Sequence, residues 1–241
     1  MSLIRKAHSM DLPTRSSKAE VDAFLQAVAS TPRRRFDARR GRLLFALDAT
    51  ASRQPTWDRA CHLQAEMFQE AAALGGLDIQ LCFYRGYGEF RASPWFESSG
   101  DLLAYMAKVR CVGGMTQIER VLDHAVAETQ HGRINALVFV GDCMEENIDR
   151  LCDRAGRLGL LGIPAFVFHE GYDEVAARSF QQIAKLAGGA YCHFDATSAR
   201  QLRELLRAVA AYVAGGRAAL EDLVRREGGM VRQLEHQLKR D

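Results

Sequence analysis

Leu43-Leu44-Phe45-Ala46-Leu47-Asp48-Ala49-Thr50-Ala51-Ser52 runs from five apolar residues directly into an acid and two hydroxyls at alternate positions. An apolar run this short, with no polar face, reads as a strand buried on both sides, the habit of a parallel sheet. The polar residues that follow then sit at the strand's carboxyl end, which is where open α/β sheets bind ligands. The same grammar recurs downstream. Leu77–Tyr84 (LDIQLCFY) is a second strand, and Gly86-Tyr87-Gly88 is a turn that sends Glu89–Trp95 back as an antiparallel edge. Asn135–Val140 (NALVFV), Ile163–Phe168 and Ala190–Phe194 complete six strands. Between them lie amphipathic stretches expected to be helical: Pro55–Leu74, Ser99–Val109, Thr116–Thr129, Ile148–Leu158, Val175–Ala187 and Ser198–Val213, the last with Leu202, Leu205, Leu206 and Val209 on one stripe. Strand and helix in alternation predict an α/β fold: a doubly wound, mostly parallel six-stranded sheet with one antiparallel edge and helices on both faces.

Charge divides the chain of 241 residues into three. Residues 1–42 hold ten basic and four acidic residues, the body to Gly216 sixteen and twenty-one, and the tail six and five, giving +6, −5 and +1. The expected organisation is a basic N-terminal extension over 1–41 with a weak helix (Lys18–Val28) and an arginine-rich linker, a domain over 42–215, and a helical extension over 216–241 interrupted by Gly228-Gly229. The basic arm is read as a solvated face; nothing beside its arginines points to nucleic acid. None of the six cysteines forms a C-x-x-C pair or a zinc-type Cys/His spacing. The N-terminus lacks the apolar stretch of a signal peptide, and no segment approaches the roughly 20 apolar residues of a membrane span. A cytoplasmic protein is expected.

Three loops carry the candidate chemistry. Asp48, Thr50 and Ser52 follow the first strand, Thr116 follows Gly113-Gly114-Met115, and Asp142 follows the apolar strand ending at Gly141. Two carboxylates and three hydroxyls form an all-oxygen donor set, the preference of hard dications. Asp48 and Asp142 together neutralise a dication without excess, so the metal stays electrophilic and an open coordination position attracts an outside carboxylate. Helix capping is the plainer role for the same residues: Asp48 and Ser52 at a strand-to-helix turn, and Thr116 with Glu119 as a capping box.

This pattern resembles the metal-ion-dependent adhesion site (MIDAS) of von Willebrand factor A (VWA) domains: an Asp-x-Ser-x-Ser run, a later Thr, then an Asp. The matching positions are Asp48, Thr50, Ser52, Thr116 and Asp142, and the likeness runs from about Arg42 to Gly215, including Ile183-Ala184 and Gly188-Gly189-Ala190-Tyr191. Thr50 stands for the usual Ser, Met115 changes the loop spacing, and Gly141 occupies a place where the family often has Thr. The resemblance implies Mg²⁺ (or Mn²⁺ or Ca²⁺) at those five residues, and a protein partner that presents an Asp or Glu.

Other residues on the same rim have ordinary readings. Glu145, Glu146, Glu170, Asp173 and Glu174 suit helix N-termini, His169 is structural, Cys143 packs inertly, and Tyr84, Tyr87, Phe90, Trp95 and Phe96 belong to the core. Three functional classes remain: a non-catalytic, cation-dependent binding module or adaptor; a scaffold with a vestigial metal site; and a phosphoryl-transfer enzyme using Asp48. The last needs an acid/base two residues after the nucleophile, where this chain has Thr50.

Overall fold

The computed structural model describes residues 18–30, 40–54, 57, 76–194 and 199–227. The helix expected over 55–74 (Trp57 apart), the arginine-rich stretch 33–39 and the Gly228-Gly229 break lie outside them. Six strands, β1 (Gly41–Asp48), β2 (Leu77–Arg85), β3 (Glu89–Phe96), β4 (Ala136–Gly141), β5 (Ala165–Glu170) and β6 (Ala190–Phe194), form one sheet in the order β3-β2-β1-β4-β5-β6. All neighbours are parallel except β2 and β3. The expected doubly wound architecture with one antiparallel edge is therefore observed.

Six helices are described: α1 (Lys18–Ser30), α2 (Ser99–Met106), α3 (Ile118–Glu128), α4 (Ile148–Leu161), α5 (Glu174–Leu186) and α6 (Ala199–Glu227). The last bends at Gly216, whose φ of 72° and ψ of −162° break the helical path. None of the described helices is long and apolar enough to cross a membrane.

The strands carry no polar face because each side is covered. Leu43, Phe45 and Leu47 of β1 face a layer that includes Phe24 of α1, Leu102 of α2, and Val209 and Val213 of α6. Leu44 and Ala46 face the other, with Val121 of α3, Leu151 of α4 and Phe180 of α5. At ~1.5–3 kcal/mol for each large apolar side chain buried, these two layers supply the fold's main driving force.

The helix that charge composition assigns to the N-terminal extension belongs to this covering layer by packing. Phe24 is 2% exposed, and its ring centroid lies 5.2 Å from that of Phe168 and 6.2 Å from that of Phe166. Helix ends follow local chemistry: Asn147 accepts the Arg150 N–H at the start of α4, and Asp173 accepts the Val175 and Ala176 N–H groups at the start of α5. Helix α3 starts two residues later than expected, at Ile118, because Thr116 is engaged elsewhere.

Candidate metal centre

The sheet order reverses between β1 and β4, the switch point at which open α/β sheets leave a crevice. Leu47 is level with Val140 there, so Asp48 at the end of β1 and Asp142 just beyond β4 emerge side by side. The chain leaving Asp48 turns through one 3-10 turn, Ala51–Arg53, which brings its hydroxyls back across the rim.

A continuous hydrogen-bonded set results. Asp48 Oδ1 accepts the Thr50 N–H at 2.7 Å, and its Oδ2 accepts the Tyr84 hydroxyl at 3.1 Å. Thr50 Oγ1 lies 3.3 Å from Ser52 Oγ, which donates to Asp142 Oδ2 at 2.7 Å. Asp142 Oδ1 is buried and has no hydrogen-bond partner among the described residues. Ligand atoms of Asp48, Asp142 and Cys143 all fall within 4.8 Å of one another.

A carboxylate held out of water beside a like charge disfavours its own ionisation. The pKa of Asp48 is pushed up to about 6, chiefly by burial, with the Asp142 charge adding to it; hydrogen bonds from Thr50 and the Arg53 charge work the other way. A dication would reverse that bias and give Asp142 Oδ1 a partner. The donor set fits the ion that the resemblance implies.

Thr116 reaches the rim by a different tie. Its hydroxyl accepts the Glu145 N–H at 3.0 Å while its own N–H donates to Glu145 Oε2 at 3.0 Å. Glu146 accepts the Ile118 and Glu119 N–H groups at 2.5 and 2.8 Å. The loop after Asp142 is thereby fastened to the start of α3. Among the described residues, no hydrogen bond joins Thr116 directly to Asp48 or Asp142. The capping box is not formed: α3 is capped from a distant loop, and Glu119 pairs with Arg150 and Arg154. Glu146→Ala leaves two helix N–H groups without their acceptor and is expected to cost about 1–3 kcal/mol in urea denaturation; Glu146→Gln, which keeps one acceptor oxygen, should lose less.

His169 is 1% exposed. Its Nε2 faces the Asp142 carbonyl at 3.3 Å, which can only accept, so that nitrogen carries the proton and Nδ1 accepts from the Tyr191 hydroxyl at 3.0 Å. Burial drives its pKa down to about 4, which makes it a neutral structural group, as expected. Cys143 is half-buried, and burial together with the Asp142 and Asp48 charges pushes its thiol up to about 12. As a thiol it is a poor nucleophile.

Some participants carry no sequence signal. Tyr84 does pack in the core, yet its hydroxyl meets Asp48, a pairing set by the β1–β2 register. Arg53, at the end of the turn that follows β1, forms a buried ion pair with Glu170 at the end of β5. Of the aromatic group read as core, Tyr87 is the exception, fully exposed at the hairpin tip. At Gly141 a Cβ would sit 2.8 Å from Phe139 Cζ, so the family's more usual Thr would require the Phe139 ring to shift.

No protein-family model and no curated protein matches the sequence. Solved structures do match the fold. The VWA domain of SpRpn10 aligns with a TM-score of 0.54 at 12% identity, over 73% of this chain and 97% of that one. Proximal thread matrix protein 1 of the mussel byssus, with a zinc-occupied MIDAS motif, aligns at 0.56 and 13% identity, over 71% of this chain and 46% of that one. An aerotolerance-related membrane protein from Bacteroides fragilis aligns at 0.53 and 16% identity, over 69% and 98%. The chain has the von Willebrand factor A fold. In this VWA fold the Asp48–Ser52 loop and Asp142 occupy the carboxyl rim of the sheet at its switch point.

Proposed function

We propose that this protein is a non-catalytic, divalent-cation-dependent protein-binding module, in which Asp48, Thr50, Ser52, Thr116 and Asp142 hold the cation. The observation that carries this reading is the convergence of two carboxylates and two hydroxyls at the switch point, with Asp142 Oδ1 buried and unpartnered. The cation would supply an electrophilic centre for an Asp or Glu of a partner protein. Mg²⁺ suits the oxygen donors best, with Mn²⁺ or Ca²⁺ as alternatives; the nearby Cys143 thiol makes Zn²⁺ a competitor to include in any titration.

A binding role accords with the chemistry of the rim. The position that an aspartyl-phosphate enzyme needs for proton transfer is Thr50, His169 is buried and neutral, and Cys143 is held as a thiol. Cys82, Cys143 and Cys152 are free thiols, which accords with a reducing, cytoplasmic setting. The domain expected over 42–215 would include, as part of its covering layer, α1 from the N-terminal stretch and the end of α6, whose Phe24, Val28, Leu220 and Leu223 are buried in the same core.

Thermal unfolding of the full chain tests the reading. At Mg²⁺ a hundredfold above its Kd, the wild type should gain about 2.7 kcal/mol, a Tm rise of about 5–10 °C for a domain this size. Asp48→Ala and Asp142→Ala should lose the rise. A wild-type Tm indifferent to Mg²⁺, Mn²⁺ and Ca²⁺ would leave a scaffold with a vestigial site.

A further inference from the structure

Five of the exposed large apolar residues crowd the carboxyl rim, on two shoulders of the candidate metal centre: Tyr87, Val112 and Met115 on the β2 side, Tyr172 and Val175 on the β5 side. Tyr87 is 88% exposed, Val112 46% and Met115 50%. Soluble surfaces tolerate scattered apolar residues, but a contiguous group beside a binding centre marks an interaction site.

The first shoulder is built as a firm platform. The Gly86 N–H donates to the Val112 carbonyl at 3.3 Å and the Met115 N–H to the Gly86 carbonyl at 3.1 Å, lacing the hairpin tip to the loop before α3. Gly114 allows that approach, since a Cβ there would lie 2.0 Å from the Gly86 oxygen. Arg120 Nη1 holds the Gly88 carbonyl at 2.5 Å. The Val112 N–H donates to the Ala49 carbonyl at 3.0 Å, so the shelf is joined to the metal loop itself.

Charge separates the two shoulders. Between Ala107 and Gln117 the chain has two cations, Lys108 and Arg110, and no acid. Both are exposed and neither forms an ion pair with a described residue. The second shoulder presents Tyr172 and Val175 beside Asp173 and Glu174, which repel an acidic ligand. On the first shoulder the Glu145 carboxylate accepts the Thr116 N–H at the Met115 end, so an acidic segment that reaches the cation is steered toward the Lys108–Arg110 end of that shoulder.

We infer that the partner is a short acidic segment of another protein in which a large apolar residue neighbours the metal-bound Asp or Glu and rests on the Tyr87–Val112–Met115 shelf, with further acidic residues toward Lys108 and Arg110. The inference rests on the cation-dependent reading above and adds the partner's chemistry. The apolar contact supplies the anchoring that one carboxylate on a metal lacks, in the manner of interface hot spots.

A displayed library of random twelve-residue peptides, selected on the full-length protein in Mg²⁺ and eluted with EDTA, tests it. The enriched peptides should pair Asp or Glu with Leu, Ile, Phe or Met within two positions and carry net negative charge. Their affinity should fall at least tenfold on Tyr87→Ser with Met115→Ser and severalfold on Arg110→Glu. These surface variants should keep the wild-type Tm and its Mg²⁺ response, which separates shelf from fold and from cation. EDTA-eluted binders with an acid but indifferent to the shelf variants overturn this inference and leave the cation reading standing. Binders that stay bound through EDTA, are recovered by a following acid elution and need the shelf overturn both. Failure of any peptide to enrich overturns the short-segment partner, and the Mg²⁺ response then judges the cation reading alone.

Discussion

Glu170→Ala is expected to lower the stability of the fold by about 3–5 kcal/mol, because it strands a buried guanidinium. Arg53 is 2% exposed and Glu170 9%. Their pairing spans the end of the turn after β1 and the end of β5, two strands away in the sheet. The Arg53 Nε is already without an acceptor, so removal of Glu170 deprives the group of the charge that offsets its desolvation. At about 2–4 °C for each kcal/mol in a domain of this size, the Tm should fall by roughly 6–20 °C. Arg53→Met combined with Glu170→Leu should recover most of the loss, since a buried pair is often matched by well-packed apolar residues of similar volume. A double variant as unstable as the single one would show that the pair does more than neutralise itself. A near-silent Glu170→Ala would show that Arg53 has another outlet for its charge.

Phe24→Ala should cost about 3–5 kcal/mol by the cavity it leaves against Phe166 and Phe168. The measurement is the urea midpoint of the full chain. Gln26→Ala, on the exposed side of the same helix, is the control and should stay within about 0.5 kcal/mol of wild type. A Phe24→Ala midpoint equal to wild type would mean that α1 is an appendage whose contact with the sheet contributes nothing.

These two sites differ in how far the chain announces them. The strands were legible because a parallel sheet covered on both faces demands unbroken apolar runs, and Leu43–Leu47 and Ala136–Val140 supply them. Asp48 and Asp142 stood out because polar residues placed directly after such runs fall at the carboxyl rim. Charge composition assigns helix α1 to a basic extension because charge is averaged over a stretch, whereas burial is decided by single residues such as Phe24 and Val28.

The succession of strands and helices along the chain, the doubly wound class and the rim on which the acids lie all follow from local periodicity and from residues adjacent in sequence. Folding in three dimensions was needed to establish that Tyr84 meets Asp48, that Glu145 and Glu146 fasten the loop of Thr116, and that Arg53 is neutralised by Glu170. Those contacts join residues 36, 29, 28 and 117 positions apart. Strand order and register bring them together, and neither is written in the composition of any one segment.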